Sequence, residues 1–313
     1  MDCRFASVAV CVGLAFATRP VAAQAEHTIV LTRPVAVGDR FHVSAESSMD
    51  IDMTVVTGGR SENVTKIQMS VTFDSAAQVI KVDEIGRPTG IAYTINECTV
   101  TRRGRTTNLI PKGATLIARL GAGETTFFVK KMRFDEMQRA ALETVAGLDG
   151  YRATKDQLFG SSRPRRVGEE WSIDVAALAA EFQPYTAHKV SPEDFKGRTS
   201  LAEVIEYEGQ TCQVIRTKIV SRGVMPTSDR APPGTRIKEA SIEAQILELL
   251  PIDSSKPRLA DKLKLRMHAV FTGRVRGQVM EARMKASIES QHTFSRAETS
   301  QAAANPQADG IRP

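Results

Sequence analysis

The sequence of 313 residues has few aromatic side chains, with one Trp, four Tyr and 12 Phe. Proteins that bind single-stranded nucleic acid stack the bases on aromatic rings, and this chain offers little surface of that kind. Its 42 Lys and Arg residues are interspersed with 36 Asp and Glu residues, and its densest basic clusters, at 101–105 and 163–166, are short. We therefore expect a mixed-charge surface in contact with solvent and no nucleic-acid partner.

Catalytic and metal-binding motifs are also missing. The five histidines lie far apart, with none in an H-E-x-x-H spacing, and there is no G-x-S-x-G nucleophile motif, phosphate-binding loop or dinucleotide fingerprint. Asp50 and Asp52 fall on one face of a predicted strand, where a carboxylate pair could hold a metal or hydrolyse a glycoside. Carboxylates at alternate positions of a strand more often lie on the face that is exposed to solvent. We predict no catalytic residue, no cofactor and no metal ligand, and keep a hydrolase with an unrecognised site as an alternative.

No apolar run is long enough to cross a membrane, since a spanning helix needs ~20 consecutive apolar residues. The N-terminus instead carries a basic residue, Arg4, then an apolar run at 5–17 and small residues before Ala23 and Ala25. This is the pattern of a Sec-type export signal that is cleaved after one of those two alanines, so we assign residues 1–25 to a signal peptide. The mature chain is expected to be periplasmic or secreted and to have no membrane-spanning segment.

Cysteine is scarce, and two of the four cysteines fall in the predicted signal peptide. The remaining two are Cys98 and Cys212. In an oxidising compartment they can pair, and a disulfide that closes a loop of 114 residues (212 − 98) would stabilise the fold by about 4–5 kcal/mol. Two separate thiols buried on strands are the alternative, because sequence does not establish that the two residues are close.

What the chain does contain is the alternation of apolar and polar residues that is typical of strands. The apolar positions of the first part are Met49, Ile51, Met53 and Val55, then Ile67, Met69, Val71 and Phe73, then Ile91, Tyr93 and Ile95. At 134–148 the spacing of apolar residues changes to that of one face of a helix. These elements predict a first β-rich half at 26–150.

The second half, at 151–296, has a similar organisation. A short helix at 174–182, capped by Asp174, precedes a predicted hairpin at 200–221. Three long alternating strands follow, with apolar positions Ile242, Ala244 and Ile246, then Leu263, Leu265, Met267, Ala269 and Phe271, then Met280, Ala282, Met284, Ala286 and Ile288. Residues 297–313 lack an apolar pattern and are predicted to be a disordered tail.

A repeated motif relates the two halves. RPVAVGDRFHV at 33–43 and RPRRVGEEWSI at 163–173 align without a gap. In each copy Pro and Gly suit a turn, and an aromatic residue follows where a strand begins. The residues to which we assign this structural role are Gly38, Phe41, Gly168 and Trp171. The fold class is therefore mainly β (α+β), with curved antiparallel sheets from two related β-rich halves and two short covering helices.

The second copy of the motif also carries a family resemblance. The pattern P-x-x-V-G-[DE]-x-W-x-[IV]-D at 164–174, with the helix and hairpin that follow, resembles an uncharacterised family of exported bacterial β-rich proteins, a domain of unknown function. The resemblance covers 155–290, and the first half only through the repeated motif. It implies export and a β-rich fold, and it provides no catalytic residues. A looser architectural similarity is to periplasmic lipoprotein carriers, in which helices cover a curved antiparallel sheet.

Methionine is frequent on the predicted strands. Polarizable Met side chains suit irregular apolar ligands, although they also fill cores that are short of aromatic residues. The candidate ligand-lining residues are Met53, Met69, Met267 and Met284.

Two functions fit this pattern. The first is a non-catalytic envelope protein that binds or carries a lipid or another apolar or amphiphilic small molecule between the sheet and the helices. The second is a structural module whose strand edges and basic loops contact another envelope protein. The predicted export signal, the Met-rich strands and the missing catalytic motifs favour the first.

Overall fold

The structure is a computed structural model that describes residues 25–33, 35–57, 60–186, 189–224, 236–275 and 278–296. The predicted signal peptide, except for its last residue, and the predicted tail lie outside the described residues. Most of the described chain is in strands, as the alternating pattern predicts. The strands are β1 (Arg40–Thr57), β2 (Arg60–Val82), β3 (Pro88–Arg102), β4 (Arg105–Asn108), β5 (Thr115–Gly121), β6 (Glu124–Phe128), β7 (Glu170–Ser172), β8 (Phe195–Tyr207), β9 (Gln210–Arg222), β10 (Arg236–Pro251), β11 (Ala260–Val275) and β12 (Gln278–Arg296).

These twelve strands form one open antiparallel sheet in the described part of the chain. Their order is β6-β5-β3-β2-β1-β12-β11-β10-β9-β8-β7, and β4 pairs with β3 outside this path. β1 of the first half pairs along its length with β12 of the second half, with Met53 opposite Met284. The mainly β, antiparallel prediction is confirmed, and the two halves meet in one continuous sheet at the β1–β12 pairing.

Three α-helices connect or follow the strands in the described residues. α1 (Glu136–Ala146) and α3 (Val175–Phe182) lie where the periodicity predicts helices, and Asp174 caps α3 by accepting backbone hydrogen bonds from Ala176 and Ala177. α2 (Lys155–Phe159) is a single short turn that the sequence pattern does not predict. None of the helices in the described ranges is long and apolar enough to cross a membrane.

The alternation gives the sheet two chemically different faces, because residues two apart on a strand point to the same side. Cross-strand partners share a face, so the register extends each face over the whole sheet. We call the side that includes Met53 and Met284 the apolar face. The opposite side, which includes the partners Asp52 and Lys285, is the polar face.

Helices cover the apolar face at two places. Near β1, β2 and β3, Leu142 of α1 packs in a buried cluster with Phe73. Near β8, a second cluster joins Leu158 of α2 and Leu178 of α3 to Leu201. Full burial of such a side chain contributes about 1.5–3 kcal/mol, so these two clusters hold the helices on the sheet.

The repeated motif builds the same turn twice. In the first copy the N–H of Gly38 donates to the carbonyl of Val79 on β2 at 2.9 Å, and the Asp39 carboxylate accepts a hydrogen bond from the N–H of Ala36 at 2.7 Å. Gly38 has a φ of +97°, a conformation that glycine adopts without steric cost. The acid of the motif therefore caps its own turn.

The second copy repeats these contacts on β8. The N–H of Gly168, which has a φ of +86°, donates to the carbonyl of Leu201 at 2.8 Å, and Glu169 accepts from the N–H of Arg166 at 2.8 Å. Each turn therefore hydrogen-bonds to a neighbouring strand. The turn before β1 bonds to β2, which pairs with β1, and the turn before β7 bonds to β8, which pairs with β7.

The aromatic residues after the turns have different surroundings. Trp171 is buried, and its indole Nε1 donates to the carbonyl of Phe159 at the end of α2 at 2.8 Å. The Arg165 guanidinium lies 5.1 Å from the centre of the Trp171 ring. Phe41 is half-buried, with its ring centre 6.2 Å from that of Phe294 on β12. Trp171 therefore joins a helix to the sheet, whereas Phe41 packs within the apolar face.

Candidate ligand-binding face

The centre of the apolar face carries a contiguous set of apolar side chains on β1, β10, β11 and β12. The cross-strand register places them in two neighbouring rows. One row runs from β1 through β12 and β11 to β10, and the other contains the partners Met53 and Met284. We call this set the central platform, and its residues are Ile51, Met53, Ile242, Met267, Met284 and Ala286.

The central platform is only partly buried. Ile242 and Ala286 are buried, whereas Ile51, Met53 and both of the other methionines are half-buried. The hydrophobic cluster at this place contains residues of β10, β11 and β12 and no described helix residue. The clusters on either side of it each include helix residues. The platform therefore lies between two helix-covered regions and keeps apolar surface exposed.

The structure brings together three of the four methionines that the sequence singled out. Met53 and Met284 are cross-strand partners, and Met267 lies on the adjacent strand opposite Ala286. Met69 is 5% exposed and pairs with Met49 in the cluster beneath α1. Met69 is thus a core residue at the edge of the platform rather than part of its open surface.

A buried ionic network lies on the apolar face beyond the central platform, and two rows, those of Leu265 with Ile288 and of Leu263 with Ser290, separate the two. Glu248, Asp261 and His292 form a row on the apolar face of β10, β11 and β12. Lys155 of α2 donates to Glu248 at 2.6 Å, and Arg258, from the segment before β11, donates to the same oxygen at 2.9 Å.

The network continues from Arg258 across the sheet. Arg258 lies 3.0 Å from Asp261, which is 2.8 Å from His292 Nδ1. The Arg258 guanidinium also lies 5.2 Å from the ring centre of Phe294. Two carboxylates and their basic partners therefore lie between the two helix-covered regions at this end of the apolar face.

Charge pairing sets the protonation of the two carboxyls. Burial raises the pKa of Glu248, but the charges of Lys155 and Arg258 outweigh this effect and hold that pKa below its ordinary value. Burial likewise raises the pKa of Asp261, and Arg258 and His292 lower it to well below the usual range. Both groups are therefore charged in the folded protein at neutral pH.

Sequence reasoning missed this network, although a signal was present. Glu248 is an even number of residues from Ile242 on β10, and Asp261 is an even number from Met267 on β11, so both carboxylates point to the apolar face. A carboxylate at an inward position of an otherwise apolar row is rarely buried without a partner. His292 shares this face, whereas His42 and His268 lie on the polar face.

Cys98 and Cys212 are separate buried thiols, so the disulfide alternative is wrong. Cys98 is on β3 and Cys212 on β9, and five strands lie between them in the sheet. Neighbouring strands are ~4.8 Å apart, whereas a disulfide requires a Cα separation below ~7 Å. Burial raises the pKa of the Cys98 thiol to about 12 and raises that of Cys212 as well, which makes both thiols unreactive.

A hollow of about 450 Å³ lies on the polar face behind the central platform. Its lining includes Asp50 and Asp52 together with Lys66, Arg266 and Lys285. The paired carboxylates therefore face solvent among basic residues. Among the described residues there is no group of three or more His, Cys, Asp or Glu side chains that could hold a metal ion.

Comparisons with known proteins identify no family. No family model matches the chain, and no curated protein matches it, so the family resemblance of the repeated motif stays a prediction. A lipovitellin structure is similar with a TM-score of 0.31 and 10% identity, over 87% of this chain and 27% of that chain. This chain thus spans about a quarter of the lipovitellin chain.

Two further solved structures have lower TM-scores. The outer membrane protein OprG from Pseudomonas aeruginosa has a TM-score of 0.17 and 8% identity, over 83% of this chain and 98% of that chain. P47 from Clostridium botulinum A2 has a TM-score of 0.17 and 5% identity, over 84% and 82%.

Proposed function

We propose that this chain is an exported, non-catalytic protein of the cell envelope that binds or carries an apolar or amphiphilic small molecule on the central platform. The partly exposed side chains of Ile51, Met53, Met267 and Met284 on the platform are the observation that carries the proposal. Soluble proteins rarely leave a large contiguous apolar surface open, and such surfaces mark binding sites. A ligand on the platform would remove that surface from water.

The ionic network at the end of the apolar face favours an amphiphile over a purely apolar molecule. The side chains of Lys155, Arg258 and His292 remain 26%, 29% and 19% exposed. These hydrogen-bond donors lie at the row of Asp261, which is six residues from Met267 on β11, and of His292, which is eight residues from Met284 on β12. The separation is about 20–27 Å along the strands, a length that an extended acyl tail can span. An apolar tail on the platform would thus place a polar group beside these donors.

The short edges of the sheet argue against the alternative of a module that pairs through its edges. β6 and β7, at the two ends of the strand order, have 5 and 3 residues. Short edge strands are a common protection against edge-to-edge association. The central platform lies on a face of the sheet, on strands in the middle of the strand order and away from both edge strands.

Titration with a fluorescent apolar probe, N-phenyl-1-naphthylamine, tests the proposal. The double variant Met267→Gln/Met284→Gln keeps side-chain length but replaces two apolar contacts with amides. We expect it to bind the probe about 30-fold more weakly, since each of the two apolar groups removed weakens binding by about 1 kcal/mol.

The matched control is the double variant His268→Gln/Lys285→Gln, which alters the adjacent positions on the same two strands but on the polar face. We expect it to bind the probe as the unaltered protein does. Equal probe binding by both variants, with circular dichroism showing both folded, would rule out the platform as the binding site.

A further inference from the structure

The polar face of β8–β11 is strongly basic. We call its exposed cations the basic patch, and its residues are Lys196, Arg198, Arg216, Lys218, Lys264 and Arg266. The register aligns Arg198 with Lys218 across β8 and β9, and Gln245 continues this row to Lys264 on β11. The cations are thus neighbours on one face rather than scattered positions.

Few acids neutralise this patch. Arg198 pairs with Glu170 at 2.9 Å, and Lys264 pairs with Glu289 at 3.1 Å. The other four cations form no ion pair with a described residue. On the polar face of these strands Glu243 lies opposite Arg266, and Glu203 and Glu239 lie at the two ends of the patch, opposite Val214 and Val270.

Two exposed aliphatic side chains lie among the cations. Val220 is 40% exposed and lies opposite Lys196. Leu247 is 37% exposed and lies opposite Arg216. The patch therefore combines positive charge with apolar side chains that point the same way.

The rest of the polar face has the opposite character. On β1–β3 the acids of this face are Glu46, Asp50, Asp52, Asp74 and Glu97, and the bases are Arg40, Lys66 and Lys81. This half has more acids than bases. An anionic surface would therefore attract the β8–β11 half and repel the β1–β3 half, which fixes how the protein approaches it.

We infer that the basic patch docks the protein on an anionic phospholipid bilayer. An extended face with several strands of Lys and Arg complements a surface of phosphate groups, and each such residue near an anionic bilayer contributes about 1 kcal/mol. The aliphatic stems of Lys and Arg, with Val220 and Leu247, suit the interface between headgroups and acyl chains. Few aromatic side chains are present to stack nucleic-acid bases. The inference is independent of the proposed function, because the patch and the central platform lie on opposite faces.

Co-sedimentation with vesicles tests the inference. The protein is expected to bind vesicles of equal parts phosphatidylglycerol and phosphatidylcholine and to dissociate from them as the salt concentration increases. It should not bind vesicles of pure phosphatidylcholine. The double variant Arg216→Glu/Lys218→Glu should lower the apparent affinity at least about tenfold.

The matched control is Arg40→Glu/Lys66→Glu, which makes the same change in charge on the other half of the same face. It should keep most of the vesicle binding, as should the Met267→Gln/Met284→Gln variant. Equal binding to neutral vesicles, or an equal loss in the control, would overturn the inference. So would analytical ultracentrifugation showing that the patch variant abolishes self-association rather than vesicle binding.

Discussion

At the scale of single residues, Trp171 shows how a sequence motif becomes a packing contact. The ring is 6% exposed, and its N–H satisfies the last carbonyl of α2. The sequence pattern predicts an aromatic anchor at this position. It does not predict the partner, because α2 is too short to leave a periodic signal.

We expect Trp171→Ala to lower the free energy of unfolding by about 3–5 kcal/mol, since it removes a buried ring and leaves a cavity. Urea denaturation measures this. Phe41→Ala is the comparison from the other copy of the motif, and its loss should be smaller because Phe41 is half-buried. A loss below about 1 kcal/mol for Trp171→Ala would contradict its role as an anchor.

The buried ionic network makes stability depend on pH. The pKa of Glu248 and that of Asp261 are lower in the folded protein than in the unfolded chain. Their stabilising effect is therefore complete above the unfolded pKa of ~4 and is lost as the pH falls below that value. Lys155, Arg258 and His292 face these groups, and we expect the urea midpoint to fall as the pH is lowered from ~5 toward 2.

The variant Glu248→Gln tests this pH dependence. It should be less stable at neutral pH by about 1–3 kcal/mol, because the amide lacks the charge that Lys155 and Arg258 contact, and its midpoint should change less between pH ~5 and 2. Glu243→Gln, exposed on the polar face of the same strand, should change stability by less than about 0.5 kcal/mol. An unchanged pH profile for Glu248→Gln would contradict the account.

At the scale of elements, the duplicated turns are the part of the fold that the sequence predicts best. Pro, Gly and a strand-forming run place both turns, and the structure gives them matching hydrogen bonds to β2 and β8. The long amphipathic strands and the helices α1 and α3 also follow from local periodicity. The buried network does not, because it depends on the register of β10, β11 and β12 and on a loop that carries Arg258.

The glycines of the two turns can be tested as a pair. Gly38→Ala and Gly168→Ala should each cost about 1–2 kcal/mol, because both residues have positive φ while nothing crowds an added Cβ. Gly121→Ala is the control, since it also has open space but no positive φ, and it should be nearly neutral. Chemical denaturation of the three variants separates backbone strain from steric contact.

At the scale of the whole molecule, the two halves form one sheet with different chemistry on its two sides. Local alternation predicts that each strand has an apolar side, and three of the four selected methionines meet on the central platform. The pairing of β1 with β12 joins residues far apart in the chain, so periodicity alone does not predict it. The separation of Cys98 from Cys212 has the same origin, because strand order sets the distance between them.

Native mass spectrometry of the protein purified from cell envelopes without detergent, with organic extraction of what it carries, tests the central proposal most directly. We expect a bound apolar or amphiphilic molecule in the spectrum of the unaltered protein and of the His268→Gln/Lys285→Gln control. The Met267→Gln/Met284→Gln variant should carry much less of it. A ligand-free spectrum for the folded, unaltered protein, together with no binding of an added apolar probe, would contradict the account.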